Sequence, residues 1–266
     1  MPIVIMLASA ITIIVLVKYG LVSGIDRVSA GLGWSLKARG KATGYATSVP
    51  EFVALVAAGL SGVWEAGLWN IASSNLINFS LAALALVVYR RGNALMGRRF
   101  LKEIGFACLG IAAPLVLMKS GLDTHVAVVP ILFALFFVYL KVDKGDGEQP
   151  EGQAELDEHR PWLGLLIIGV SLALIMVAGK FLGDATRDVV EIMGIPAIVA
   201  GWILGVVTSL PEAVTFFTVF STKRRHGCTD PFAQVQELLD NLAASNMSNS
   251  GLIYPLGLTV YLLAIG

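Results

Sequence analysis

The chain has 266 residues, of which 56% are hydrophobic and only 14% are charged, and its 19 basic and 19 acidic residues give a net charge of zero. Soluble domains carry about 25% charged residues, so this chain lacks the polar residues needed to cover a water-facing surface. The composition excludes a soluble enzyme, a disordered chain and a disulfide-stabilised secreted protein, and the zero net charge offers no basic field for nucleic acid.

Long apolar runs follow one another along the chain. A helix that crosses the hydrocarbon core of a bilayer needs about 20 mostly apolar residues. The predicted spans, in chain order, are 2–22, 30–62, 67–89, 104–119, 124–142, 162–182, 193–221 and 240–265. The second of them has a basic first half and an apolar second half, so it is predicted to be a broken span. The predicted fold class is therefore an all-α polytopic membrane protein with about eight transmembrane helices.

The basic residues are distributed unevenly between the two sides of these spans. With the N-terminus outside, 16 of the 19 Lys and Arg residues fall on the cytoplasmic side. Cytoplasmic loops collect Lys and Arg, so the pattern predicts an integral protein of the cell (inner) membrane with its N-terminus outside. Leaving out the span at 30–62 would reverse every later loop, so the charge pattern also supports that span.

One long polar linker divides the chain. Residues 143–160 carry seven acidic residues, three glycines and one proline. The sequence predicts a first unit of five spans at 1–142, a solvated acidic cytoplasmic linker at 143–160, and a second unit of three spans at 161–266.

Two short patterns occur twice and in the same order. Residues 40–51 (GKATGYATSVPE) and 201–212 (GWILGVVTSLPE) share G-x3-G-x2-T-S-x-P-E, whereas 70–78 (NIASSNLIN) and 241–249 (NLAASNMSN) share N-x-A-x-S-N-x-x-N. Corresponding copies lie five spans apart, which is an odd number, so the two copies must face opposite ways across the membrane. Secondary transporters are often built from such inverted-topology repeats.

Each T-S-x-P-E pattern places oxygen ligands inside an apolar run. A charged carboxylate at membrane depth costs about 2.5–3.5 kcal/mol and marks an ion pathway by default, which applies to Glu51 and Glu212. Thr47 lies four residues before Glu51 on the same helix face, and Thr208 has the same relation to Glu212. The proline of each pattern lacks an N–H and frees the carbonyl four residues earlier. Oxygens of these kinds are the ligands that Ca²⁺ and Na⁺ require.

The same polar residues could have a purely structural role instead of forming a cation site. Glu51 could form an ion pair with Lys37 or Lys41, whereas Glu212 has no lysine nearby in the sequence. The amides and hydroxyls of the second pattern could hydrogen-bond between helices instead of binding ions. They repeat at four-residue intervals on one helix face, as Asn70, Ser74 and Asn78 and again as Asn241, Ser245 and Asn249.

The repeated T-S-[VL]-P-E and S-N-x-x-N patterns resemble the two alpha-repeats of the sodium/calcium exchangers, in the cation/Ca²⁺ antiporter superfamily. The resemblance implies antiport of Ca²⁺ against Na⁺ or H⁺ by alternating access, without a cofactor apart from the transported cations. It implies a Ca²⁺ site formed by Thr47, Glu51, Thr208 and Glu212. It further implies Na⁺ sites completed by Gly44, Ser48, Ser74, Asn78, Gly205, Ser209, Ser245 and Asn249.

The chain departs from that family in three respects. Family members usually have ten spans, whereas this chain stops after the eighth, so the apolar surface of spans six to eight is expected to contact lipid or a second copy in a homodimer. Three basic residues occupy 37–41, in a half-helix that is normally apolar. Asn78 and Asn249 are both neutral, although one of these positions is often Asp in the exchangers.

Functions other than antiport are also compatible with parts of the sequence. A passive cation channel could use the same oxygens, and a degenerate homologue could have lost transport. An enzyme is not expected, because the sequence has no H-E-x-x-H pattern and no Ser–His pair at membrane depth. Two carboxylates balance one Ca²⁺ or two monovalent ions, so the predicted exchange is two Na⁺ or H⁺ for one Ca²⁺ with little electrical current.

Overall fold

The computed structural model describes residues 1–33, 45–92, 100–143, 161–225 and 231–265, and most of these residues are helical, with no strand among them. In chain order the helices are α1 (Pro2–Leu16), α2 (Val22–Gly31), α3 (Val49–Leu60), α4 (Trp64–Val88), α5 (Leu101–Ser120), α6 (Val128–Asp143), α7 (Pro161–Glu191), α8 (Ala197–Thr208), α9 (Leu210–Arg225), α10 (Pro231–Ser248) and α11 (Tyr254–Ile265). Single π-helical turns at Val17–Leu21 and Asn249–Ile253 join α1 to α2 and α10 to α11.

The predicted fold class is confirmed. Within the described ranges, five continuous helices are long and apolar enough to cross a membrane, and the bent pair of α8 and α9 provides a sixth candidate span. Shorter apolar helices at Tyr45–Leu60 and Val128–Val142 fall within the two remaining predicted spans. Several helices run beyond the predicted bounds, because hydropathy detects the apolar part of a helix and not its polar ends. The helix of the first predicted span (2–22) continues to Gly31, and the helix of the sixth predicted span (162–182) continues to Glu191.

The two T-S-x-P-E patterns break their helices at the same residue. Ser48 precedes α3 with φ −86° and ψ 1°, and Ser209 separates α8 from α9 with φ −81° and ψ 0°. Across the second break the helix axis bends by 41°. Each serine is followed two residues later by a proline, which removes a backbone donor and disfavours a continuous helix. Equivalent sequence therefore produces equivalent breaks in both copies.

Helix α4 lies at the centre of the bundle and carries the first S-N-x-x-N pattern. It packs against α3, α5, α8 and α10, while α7 packs against α1, α2 and α3. The approach of α8 to α4 depends on glycine: a Cβ at Gly201 would lie 2.7 Å from the backbone oxygen of Ala66 and would overlap the side chain of Trp69. This close packing brings the end of α8 against the polar face of α4.

The outside of the bundle is apolar, and its interior buries polar side chains among apolar ones. Apolar side chains such as Val87, Met176 and Leu263 are 71%, 70% and 80% exposed, as lipid-facing residues of a membrane protein are. The interior instead buries charged and amide side chains, among them Glu51 and Asn70. Polar groups removed from both water and lipid need a partner, and these groups define the candidate site.

Candidate cation-binding site

The two glutamates of the T-S-x-P-E patterns occupy equivalent positions in the interior. Glu51 lies in the first turn of α3 and is fully buried, and Glu212 lies in the first turn of α9 and is 6% exposed. The carboxylates are near enough for their charges to repel each other. The positive end of each helix dipole partly offsets a negative charge in the first turn. Like charges buried near each other are unfavourable, and a bound cation would relieve this repulsion.

The C-terminal end of α8 is fastened to α4 by hydroxyl and amide groups. The Thr208 hydroxyl donates to Asn70 Oδ1 at 3.1 Å and lies 3.0 Å from the Ser74 hydroxyl. The Ser74 hydroxyl also reaches the Gly205 carbonyl at 3.4 Å. Thr208 faces the Glu51 carboxyl as well, but neither Glu51 oxygen accepts a hydrogen bond of good geometry. Four predicted site residues, one from α3, one from α4 and two from α8, are thereby brought together.

The equivalent asparagines Asn75 and Asn246 bond to each other's backbone. Asn246 Nδ2 donates to the Asn75 carbonyl at 3.1 Å, and Asn75 Nδ2 reaches the Asn246 carbonyl at 3.5 Å. These reciprocal contacts join corresponding residues of the two S-N-x-x-N patterns, on α4 and α10. This pair was not among the candidate site residues predicted from the sequence. Both belong to the shared S-N-x-x-N pattern, which was the signal that could have identified them.

The predicted site residues Asn78 and Asn249 are oriented by hydrogen bonds to their nitrogen atoms. Asn78 Nδ2 donates to the Ser245 hydroxyl at 3.1 Å, across the interface between the repeats. Asn249 Nδ2 donates to Asn75 Oδ1 at 2.9 Å. In both residues the remaining amide oxygen is buried without a donor from the protein. These two amides therefore present acceptor oxygens, which is the orientation that a cation ligand needs.

Buried oxygens without a protein donor are concentrated among the predicted site residues. Within the described ranges the predicted site residues contribute six of them, namely Glu51 Oε1 and Oε2, Asn78 Oδ1, Ser209 Oγ, Glu212 Oε2 and Asn249 Oδ1, and further ones belong to Glu103, Asn246 and Ser248. An unpartnered buried acceptor costs roughly 1–3 kcal/mol, so several of them in one interior are costly unless a cation is bound. Within the described ranges no group of three or more His, Cys, Asp or Glu residues could hold a metal. The donor set is thus two carboxylates with neutral oxygens, which suits hard cations such as Ca²⁺ and Na⁺.

The cluster around Thr208, which combines the second T-S-x-P-E pattern with the first S-N-x-x-N pattern, is more enclosed than the equivalent cluster around Thr47. Thr208, Asn70 and Ser74 are buried, whereas the corresponding Thr47 and Ser245 are partly exposed. Ser48 is buried. Gly44, Lys37 and Lys41 lie outside the described residues, so the predicted role of Gly44 and an ion pair between a lysine and Glu51 stay predictions.

Residues 163–265 match the family model of the sodium/calcium exchanger protein. The matched range lies inside the predicted second unit and contains the second copy of both patterns. The match supports transport of cations of the exchanger type in general. Comparisons with curated proteins and with solved structures gave no match.

Proposed function

From the sodium/calcium exchanger domain at residues 163–265, we propose that the chain is a secondary active antiporter that exchanges Ca²⁺ for Na⁺ or H⁺. The observation that carries the proposal is the set of buried, donor-free oxygens contributed by both copies of the repeat. Two copies in opposite orientation give a site that can be approached from either side of the membrane. This is the symmetry that alternating access needs.

The proposed Ca²⁺ site is formed by Glu51, Glu212, Thr47 and Thr208. Ca²⁺ takes six to eight oxygen ligands at about 2.3–2.6 Å, and carboxylates from both copies supply its neutralising charge. The proposed Na⁺ ligands are Gly44, Ser48, Ser74, Asn78, Gly205, Ser209, Ser245 and Asn249. Because Ca²⁺ and the driving ions use the same two carboxylates, they compete, and competition for one site is what couples the two fluxes.

The charge of the site limits the exchange ratio. Two carboxylates neutralise one Ca²⁺ or two monovalent ions, and a third Na⁺ would enter the interior uncompensated, which is expensive. We therefore propose an exchange of two monovalent ions for one Ca²⁺ that carries little current. A proton is the second candidate driving ion, because removal from water favours the neutral form of a carboxyl.

The proposed orientation places the N-terminus outside the cell membrane. It rests on the excess of Lys and Arg in the loops assigned to the cytoplasm, 16 of 19, and on the tendency of cytoplasmic loops to collect these residues.

The test is Ca²⁺ uptake by proteoliposomes under imposed gradients of Na⁺ or H⁺. We expect uptake only with an outward gradient of one of these ions, and abolished uptake in Glu212→Gln. Glu65→Gln is the matched control: Glu65 is exposed and accepts from Trp69 Nε1 at 3.2 Å, a bond that a glutamine oxygen preserves. Uptake that neither internal Na⁺ nor an imposed H⁺ gradient changes would identify a channel instead. No uptake by folded wild-type protein would identify a non-transporting homologue.

A further inference from the structure

The amide orientation of Asn75 is dictated by backbone groups. Its Nδ2 lies 2.9 Å from the Gly110 carbonyl and 3.5 Å from the Asn246 carbonyl. Carbonyl oxygens only accept hydrogen bonds, so the Asn75 nitrogen must be the atom on this side. The Ser250 hydroxyl already donates to the Gly110 carbonyl and accepts from Asn75 Nδ2 at 2.9 Å. Reversing the amide would place Asn75 Oδ1 against two carbonyl oxygens.

The orientation of Asn75 in turn dictates what residue 249 can be. Asn75 Oδ1 points at residue 249 and has only acceptor lone pairs. Asn249 Nδ2 donates a hydrogen bond to Asn75 Oδ1 at 2.9 Å. The other amide atom, Asn249 Oδ1, is therefore left buried and without a protein donor. An ionised carboxylate at position 249 would place one of its oxygens against Asn75 Oδ1, and neither oxygen could donate a hydrogen bond. A carboxyl fits only if it keeps its proton and donates it to Asn75.

The equivalent position in the first copy lacks this constraint. Asn78 Nδ2 donates to the Ser245 hydroxyl, and a hydroxyl can rotate to donate instead of accepting. An ionised Asp at position 78 could therefore accept a hydrogen bond from the Ser245 hydroxyl. An ionised Asp at position 249 would face Asn75 Oδ1, which can only accept. The two copies share a sequence pattern but differ in the charge they accept.

We propose that Asn75 is a positioning residue that restricts residue 249 to a hydrogen-bond donor and so keeps its other oxygen a neutral ligand. Asn75 then fixes the site at the two negative charges of Glu51 and Glu212. The inference rests on the proposed function in one respect, namely that the Asn249 oxygen faces the transported cation.

The proposal is tested by infrared spectroscopy of purified variants containing isotope-labelled aspartate, which separates Asp bands from Glu bands. The variants are Asn249→Asp, its matched control Asn78→Asp, and the double variant Asn75→Ser with Asn249→Asp, all at neutral pH in saturating Na⁺. We expect one additional protonated Asp per chain in Asn249→Asp and none in Asn78→Asp. The band should disappear in the double variant, because a serine hydroxyl can donate to an ionised carboxylate.

An Asn249→Asp variant without the protonated band overturns the proposal, and so does a band that persists in the double variant. An equal band in Asn78→Asp also overturns it, because burial alone would then hold the proton. If Asn249→Asp does not fold, recovery of folded protein on adding Asn75→Ser supports the proposal, and no recovery contradicts it. The band does not depend on transport, so the expected spectra together with absent Ca²⁺ flux in the wild type would count against the proposed function alone.

Discussion

Replacement of Gly201 by alanine tests the close packing of α8 against α4. A Cβ at this position would lie 2.7 Å from the Ala66 carbonyl oxygen, 2.9 Å from the Trp69 carbonyl carbon and in overlap with the Trp69 side chain. Two of these neighbours are backbone atoms, so a side-chain rotation cannot relieve the contact. The helices must separate, and with them the bonds from Thr208 to Asn70 and Ser74.

The size of the effect follows from two opposing terms. Alanine stabilises a helix by about 0.8–1.0 kcal/mol relative to glycine, whereas overpacking a close contact costs about 1–3 kcal/mol. Gly169→Ala is the matched control, since Gly169 lies within α7 and a Cβ there would meet no atom within 4 Å. The two variants share the helix term, so Gly201→Ala is expected to be less stable than the control by the overpacking cost of about 1–3 kcal/mol.

The assay is unfolding of each purified variant in detergent, with Ca²⁺ uptake measured in parallel. We expect Gly201→Ala to melt several degrees below Gly169→Ala and to transport more slowly, because α8 no longer closes on α4. Equal melting temperatures and equal uptake rates would refute the reasoning, since the glycine contact would then not hold the site together.

Two further predictions follow from the hydrogen bonds of the site. Ser209→Ala removes a buried hydroxyl that has no hydrogen-bond partner in the protein, so it should leave the melting temperature without cations unchanged or higher while reducing the increase that Na⁺ produces; a lower melting temperature without cations would contradict this. Asn246→Leu removes hydrogen bonds to the Asn75 and Ala107 carbonyls and should lower the unfolding free energy by about 1–2 kcal/mol. The control Ser80→Ala, at an exposed hydroxyl on α4, should change the unfolding free energy little. Equal effects of the two substitutions would show that the Asn246 contacts are not stabilising.

The sequence predicted the glutamates and the helix breaks because the signals are local. The proline of each T-S-x-P-E pattern cannot donate a backbone hydrogen bond to the residue four before it. Glu212 has no lysine near it in the sequence. Asn75 and Asn246 were missed because counting every fourth residue along one helix face selects Asn70, Ser74 and Asn78 and passes over the neighbouring face. That face contacts α5 and the opposite copy of the pattern. Which helices contact each other depends on the tertiary structure and cannot be deduced from residue spacing along one helix.

The difference in hydrogen bonding between Asn78 and Asn249 could not be predicted from the sequence either. Asn78 and Asn249 occupy equivalent positions in one repeated pattern, yet their nitrogens bond to a hydroxyl and to an amide oxygen respectively. The backbone differs too, since Asn249 opens a π-helical turn while Asn78 lies within the regular helix α4. A π turn re-aims the side chains that follow it, and turns of this kind are frequent at functional sites.

The central claim is that one carboxylate from each copy of the repeat contributes to a single Ca²⁺ site. Calorimetric titration of Ca²⁺ into the purified wild type, Glu51→Gln and Glu212→Gln tests it most directly. We predict one Ca²⁺ per wild-type chain and binding weakened roughly 100-fold in each variant, equivalent to about 2.7 kcal/mol. Two Ca²⁺ per wild-type chain, with one retained at full affinity in each variant, would show two separate sites and contradict the account.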